Sequence, residues 1–183
     1  MRISQWSIRA RSAGLERTVI PMEICAPDKQ YTLFFDEVRV PANRLIGAEH
    51  EGLRQVFSGL NPERVMGAAQ GNGIARYALE KASSYALERQ VWGVPIGMHQ
   101  GLSHPLAIAK IEVEQARLMT QKAAWLYDTG ADAGEAANMA KYASAEASLK
   151  ALDQAIQTHG GNGLATEYGL ATLYGLTRLF RTA

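Results

Sequence analysis

Between Glu135 and Thr158, alanine returns at Ala136, Ala140, Ala143, Ala147, Ala151 and Ala155, every third or fourth residue. Residues so spaced share one face of an α-helix. Side chains this small let a second backbone approach closely, so the segment predicts a helix packed tightly inside a helical bundle. The same period runs through Val65, Ala68, Ala75, Leu79, Ala82 and Ala86, which predicts a second long helix. Its start is written as Asn61-Pro62-Glu63: asparagine is a favoured N-cap, proline a favoured first helical residue, and an acid suits the first turn. A short helix over Glu51 to Leu60 precedes it. A third long helix is expected from about Met98 to Thr129, with Pro105 as a kink or as the true start and Gly130 as the stop. A last helix is expected from about Glu167, with Thr166 as N-cap. Gly93-Val94-Pro95-Ile96-Gly97 and His159-Gly160-Gly161-Asn162-Gly163 break the helical pattern.

Upstream of Gly47 the pattern is different. Thr18 to Met22, Tyr31 to Phe35 and Glu37 to Val40 read as three short strands, with a turn at Pro27-Asp28-Lys29. So few strands bury little by themselves and need something to lean on. The expected architecture is mainly α: a four-helix up-and-down bundle over residues 48–183, preceded by a short β segment over residues 1–47.

Bulk properties exclude several classes. The 183 residues are 47% hydrophobic and 20% charged, with a formal net charge of +1. Nothing in that balance calls for a nucleic-acid partner. No apolar run is long enough to span a bilayer. The lone Cys25 rules out an intrachain disulfide or a thiolate-built metal centre, and fits a reducing, cytoplasmic compartment. His99, His104 and His159 lack partners at metal-ligand spacing. The run Gly71-Asn72-Gly73 follows no strand, which argues against a dinucleotide fingerprint. From the residues alone, Glu63 reads as a first-turn acid that stabilises the helix dipole.

Four segments, in order, resemble the acyl-CoA dehydrogenase family. Phe34-Phe35-Asp36-Glu37-Val38-Arg39-Val40-Pro41-Ala42, followed by Leu45-Ile46-Gly47, resembles the exit from the family's β domain. Ser58-Gly59-Leu60-Asn61-Pro62-Glu63-Arg64 resembles the start of the first long helix of its C-terminal domain. Tyr85-Ala86-Leu87-Glu88-Arg89-Gln90-Val91-Trp92-Gly93, with Pro95-Ile96-Gly97 and His99-Gln100, resembles its flavin segment between helices. Ala155-Ile156-Gln157-Thr158-His159-Gly160-Gly161-Asn162-Gly163, then Thr166-Glu167-Tyr168, resembles the loop before its last helices. The N-terminal helical domain and most of the β domain of such enzymes have no counterpart in this sequence.

The resemblance implies an FAD-dependent oxidoreductase of fatty acid metabolism that converts an acyl-CoA thioester into a trans-2-enoyl-CoA. A carboxylate removes the α-proton, and the β-hydrogen leaves as hydride. In many members the base is a glutamate that would fall just past Ala183; in others it sits at the position matched by Glu63, which is therefore the expected base. Asn61 and Arg64 are the expected substrate-side residues. For the cofactor the resemblance implies Arg89 on the diphosphate across a subunit boundary, Trp92 on the nucleotide portion, amide contacts from Gln100 and Gln157, and close backbone approach at Gly160 and Gly161. Implied partners are an acyl-CoA, a second or further copies of the chain meeting through the bundle, and an electron-transferring flavoprotein. The alternatives are a non-catalytic scaffold that keeps the bundle interface, or an oxidase or flavin monooxygenase of the same fold. The chain by itself is expected to assemble through its bundle and to hold flavin weakly.

Overall fold

A computed structural model of the chain describes residues 4–24 and 28–182. Cys25 and Pro27 of the expected turn lie outside them. The residues group into two compact units, Met1–Leu60 and Asn61–Ala183.

In the first unit, β2 (Leu15–Ile20) and β3 (Gln30–Phe35) form an antiparallel hairpin with Leu15 opposite Phe35 and Ile20 opposite Gln30. The short strands β1 (Gln5–Trp6) and β4 (Leu45–Ile46) make a second antiparallel pair. Glu37 to Val40, expected as a strand, is not one. Glu37 takes a φ of +46°, a left-handed conformation that ends an extended run. Just before it, the Asp36 N–H reaches back to the Gly14 carbonyl. Gly14 itself has φ +80°, and a Cβ there would stand 2.0 Å from the Asp36 carbonyl oxygen. The hairpin leaves Leu33, Phe34 and Phe35 exposed.

A single helix, α1 (Gly52–Glu88), passes from the first unit into the second. The two helices expected around Asn61-Pro62 are therefore one. Proline gives up the bond from its own nitrogen to the Ser58 carbonyl and crowds that carbonyl with its ring; Ser58 is exposed, so water can take the place of that donor. Asn61 caps nothing. Glu63 stands well inside the helix instead of in its first turn, so the dipole reading of Glu63 falls away.

The second unit is an up-and-down bundle of α1, α2 (Gln100–Asp128), α3 (Gly134–His159) and α4 (Leu170–Thr182). A tiny hairpin, β5 (Gln90–Val91) with β6 (Val94–Pro95), joins α1 to α2. Pro105 lies inside α2, which begins at Gln100 after a 3₁₀ turn over Ile96–Met98. Thr166 does not cap α4. Residues 166–168 form a turn, and the chain enters the helix through Gly169, whose φ is +66° and whose carbonyl accepts the Leu173 N–H.

The core is built largely from alanine. Three apolar clusters stack along the bundle. Ala68, Ala123, Ala136 and Ala140 form one, and Ala75, Leu79, Ala109, Val113, Ala116, Ala147 and Ala151 the next. Ala78, Ala82, Leu152, Ala155 and Leu170 form the third. Residue numbers climb through these layers on α1 and α3 and fall on α2, as alternating chain direction requires. On α4, Leu170 packs beside Leu152 while Arg181 pairs with Glu146 at 2.6 Å, so α4 runs down.

One surface cluster sets an acid response. Lys110 and Arg117 both donate to Glu114, the second at 2.8 Å, and hold its carboxyl at about 2, down from 4.5. A depressed carboxylate stabilises the fold above its unfolded value and loses that contribution as pH falls through the folded one. Glu114→Gln is therefore expected to flatten the decline of melting temperature between pH 4.5 and about 2. A carbon-detected NMR titration of Glu114 should place its midpoint near the lower limit; a midpoint at the ordinary carboxylate value would refute the assignment.

Candidate active site

Antiparallel alternation gathers segments that are distant in sequence. The C-terminus of α1, the N-terminus of α2 and the C-terminus of α3 share one end of the bundle, and with them come Arg89, Trp92, Gln100, Gln157, Gly160 and Gly161. Arg89 is anchored as α1 ends. Its N–H donates to the Tyr85 carbonyl at 2.9 Å, and its own carbonyl accepts the Ile96 N–H at 2.8 Å, which closes the base of the β5–β6 hairpin. Its side chain is exposed.

Trp92 and Gly93 form the hairpin tip, with φ of +53° and +80°. Two successive positive φ values are what a type I′ two-residue hairpin turn requires, and asparagine and glycine are the residues that usually meet that need. An indole is out of place here on both counts: it strains the backbone and it is 88% exposed. Its ring contact is an edge-on approach to His99 at 5.6 Å. His99 Nε2 is buried without a hydrogen-bond partner. Sequence reasoning placed His99 in a motif but gave it no role, and an orphaned polar atom can be seen only once the chain is folded. Gln100 and Gln157 are exposed. Gly160 has φ +60°, its N–H donates to the Gln157 carbonyl, and a Cβ on Gly160 or Gly161 would meet nothing within 4 Å. The backbone there is open to an incoming ligand.

An exposed guanidinium, a protruding indole, two carboxamides, an unpartnered imidazole nitrogen and bare glycine backbone make up this end. The α2 N-terminus adds a favourable potential for negative charge. Groups of these kinds can meet an anion and a flat ring system.

Glu63, Asn61 and Arg64 belong elsewhere. Along α1, Glu63 is about 39 Å from Arg89 at ~1.5 Å per residue. Asn61 faces the α2–α3 turn: its amide nitrogen is 3.8 Å from where a Cβ on Gly134 would sit, and its Oδ1 is buried without a partner. Arg64 lines a cavity of about 210 Å³ together with Lys141, Tyr142, Glu146 and Arg181. Burial holds the Lys141 ammonium below its ordinary pKa; the Arg64 charge adds to that, and the Glu63 carboxylate opposes it. Lys141 donates to the Phe180 carbonyl of α4. Glu63 itself is exposed and stands outside the lining of that cavity. No group of His, Cys, Asp and Glu suited to a metal ion occurs among the described residues. Nor, among them, is any helix long and apolar enough to cross a membrane.

Residues 50–183 match the profile of the acyl-CoA dehydrogenase C-terminal domain. The chain belongs to the acyl-CoA dehydrogenase family. All of it aligns with acyl-CoA dehydrogenase FadE12 of Mycobacterium tuberculosis at 54% identity, over 48% of that protein. The fold matches butyryl-CoA dehydrogenase from Megasphaera elsdenii with a TM-score of 0.89 and 27% identity, over 97% of this chain and 47% of that one. It also matches the structure described as PigA with FAD and proline, with a TM-score of 0.92 and 28% identity, over 97% of this chain and 47% of that one. The chain thus spans about half the length of the curated relatives it matches most fully.

Proposed function

We propose that the chain supplies the C-terminal half of the active site of an FAD-dependent acyl-CoA dehydrogenase, which oxidises an acyl-CoA thioester to a trans-2-enoyl-CoA. The observation that carries this reading is the meeting of Arg89, Trp92, Gln100, Gln157, Gly160 and Gly161 at one end of the bundle, drawn from segments up to 72 residues apart by number, from Arg89 to Gly161. Arg89 would clamp the diphosphate with its planar fork. Trp92 would cover the nucleotide portion, and Gln100 and Gln157 would fix its orientation by amide hydrogen bonds. Gly160 and Gly161 would let the ligand lie against bare backbone. FAD, when bound, supplies the acceptor for a hydride from the β-carbon.

At the other end of the bundle Glu63 acts as the base that takes the α-proton, with Asn61 and Arg64 on the substrate side. A base must come within about 3–3.5 Å of the atom it attacks. Glu63 and Arg89 of one chain are about 39 Å apart on a rigid helix, so one chain's base serves the cofactor gripped by another chain's Arg89. The working unit is then a homodimer, or a tetramer made of such dimers. The structural match to PigA with FAD favours flavin as the cofactor; it also supports a second reading, a flavoprotein of the same fold with a different substrate. Electrons would pass on to an electron-transferring flavoprotein in the cytoplasm.

The test splices this chain onto the N-terminal half of the mycobacterial relative and assays acyl-CoA-dependent reduction of a dye. Glu63→Gln and Arg89→Ala proteins, each nearly inactive, are then mixed, dissociated and reassociated. Shared sites predict recovery of about a quarter of wild-type activity, because half the dimers are mixed and each of these holds one intact site. No recovery would mean that each chain completes its own site.

A further inference from the structure

Four side chains from three segments interlock at the cofactor end. Tyr85 belongs to the last turn of α1, His159 closes α3, Asn162 sits in the 3₁₀ turn Gly160–Leu164, and Tyr168 precedes α4. His159 is buried, and its Nδ1–H donates to the Ala155 carbonyl at 2.8 Å. Its ring stacks on Tyr85 with centroids 4.2 Å apart and planes 27° from parallel. Tyr168 meets both rings edge-on, at 6.1 and 5.0 Å. The Tyr85 hydroxyl accepts a 3.0 Å hydrogen bond from Asn162 Nδ2. Beside Asn162, a Cβ on Gly163 would lie 2.6 Å from the Ile156 carbonyl oxygen, so the turn also lies directly on α3.

We propose that Tyr85 and Asn162 are positioning residues that lock the Gly160–Gly161 backbone in register with Arg89 and Trp92, so that the α1 and α3 ends meet the cofactor as one preformed surface. The inference rests on the flavin reading of this end. Its physical basis is short-range. Arg89 follows Tyr85 by one helical turn and bonds its carbonyl at 2.9 Å, so tying Asn162 to Tyr85 ties the glycine turn to the arginine. Packing against His159 needs only the phenyl ring. The hydroxyl serves the link to Asn162. A surface ordered before binding has less conformational entropy to lose when the ligand arrives. The bond itself is exposed, so removing it should alter the placement of the turn far more than the stability of the bundle.

Hydrogen exchange of the full chain, and FAD titration of the enzyme spliced onto the mycobacterial N-terminal half, test this, using Tyr85→Phe, Asn162→Ala and the double variant. Each single change is expected to speed amide exchange across residues 160–165, to leave exchange around Leu152 and the melting temperature unchanged, and to weaken FAD binding about fivefold. The double variant should bind no more weakly than either single one, because both remove the same bond. A merely structural role would lower melting temperature and affinity together. Unchanged exchange in all three proteins overturns the lock, and faster exchange with unaltered FAD affinity overturns its role in cofactor binding. A wild-type spliced enzyme without saturable FAD binding defeats the flavin reading, while the exchange pattern still shows whether the lock exists.

Discussion

Glu63→Gln is expected to lower turnover of the spliced enzyme by about 10²- to 10⁴-fold, the usual worth of a positioned general base. kcat and kcat/KM should fall together, because the lost interaction is with a proton in flight and not with the bound thioester. The fold should not notice. Glu63 is exposed, it lies away from the helix ends, and glutamine has nearly the same helix propensity. Its carboxylate helps keep the Lys141 ammonium protonated. Melting temperatures of the two proteins should therefore agree closely. Glu63→Asp, with the carboxylate withdrawn by one methylene, should retain part of the activity. If the glutamine variant turns over within a few-fold of wild type, the base is another residue.

The largest stability effect is expected at Leu152→Ala. Leu152 is fully buried on α3, and its buried cluster neighbours are three alanines, Ala78, Ala82 and Ala155, and one larger side chain, Leu170. When a large side chain is removed, flexible neighbours normally lean into the gap and recover part of the loss. The three alanine methyl groups have no reach, and only Leu170 and the partly buried rim of the cluster can lean in, so the cost falls within the range of about 2–5 kcal/mol. For a chain of this size that corresponds to a fall in melting temperature on the order of 10 °C. Leu152→Met, which keeps the volume, should lose under about 1.5 kcal/mol. Urea unfolding of the three proteins with a common slope measures both differences. A Leu152→Ala protein within about 1 kcal/mol of wild type would mean that the bundle relaxes around the hole.

Much of the bundle was legible because small-residue periodicity is a local property. Ala136, Ala140, Ala147, Ala151 and Ala155 all lie buried, as their spacing predicts, and so do Ala68, Ala75, Ala82 and Ala86. The misreadings have local causes too. Asn61-Pro62-Glu63 satisfies every rule for a helix start, yet α1 runs through it, and the Ser58 carbonyl that Pro62 leaves without a donor lies at an exposed residue. Glu37 to Val40 alternates like a strand, but the left-handed backbone at Glu37 ends the extended run. Thr166 is a good capping residue placed four positions before the helix actually begins at Leu170.

The candidate site was legible in part. Each cofactor residue stood in a recognisable motif, but the bond between Asn162 and Tyr85 spans 77 positions and leaves no mark in either segment. Nor does tryptophan announce a hairpin tip that takes positive φ.

The spacing of small residues already specifies long helices packed closely face to face, because methyl-lined stripes can be buried only at short range. The sequence also supplies the kinds of groups on hand: a carboxylate, a guanidinium, an indole and open glycine backbone. Which of them stand together depends on how the folded helices are laid side by side. Alternating helix direction brings the ends of α1 and α3 to the start of α2, while the rigid rise of α1 carries Glu63 about 39 Å away, and no local pattern encodes a separation that depends on how whole helices are laid side by side.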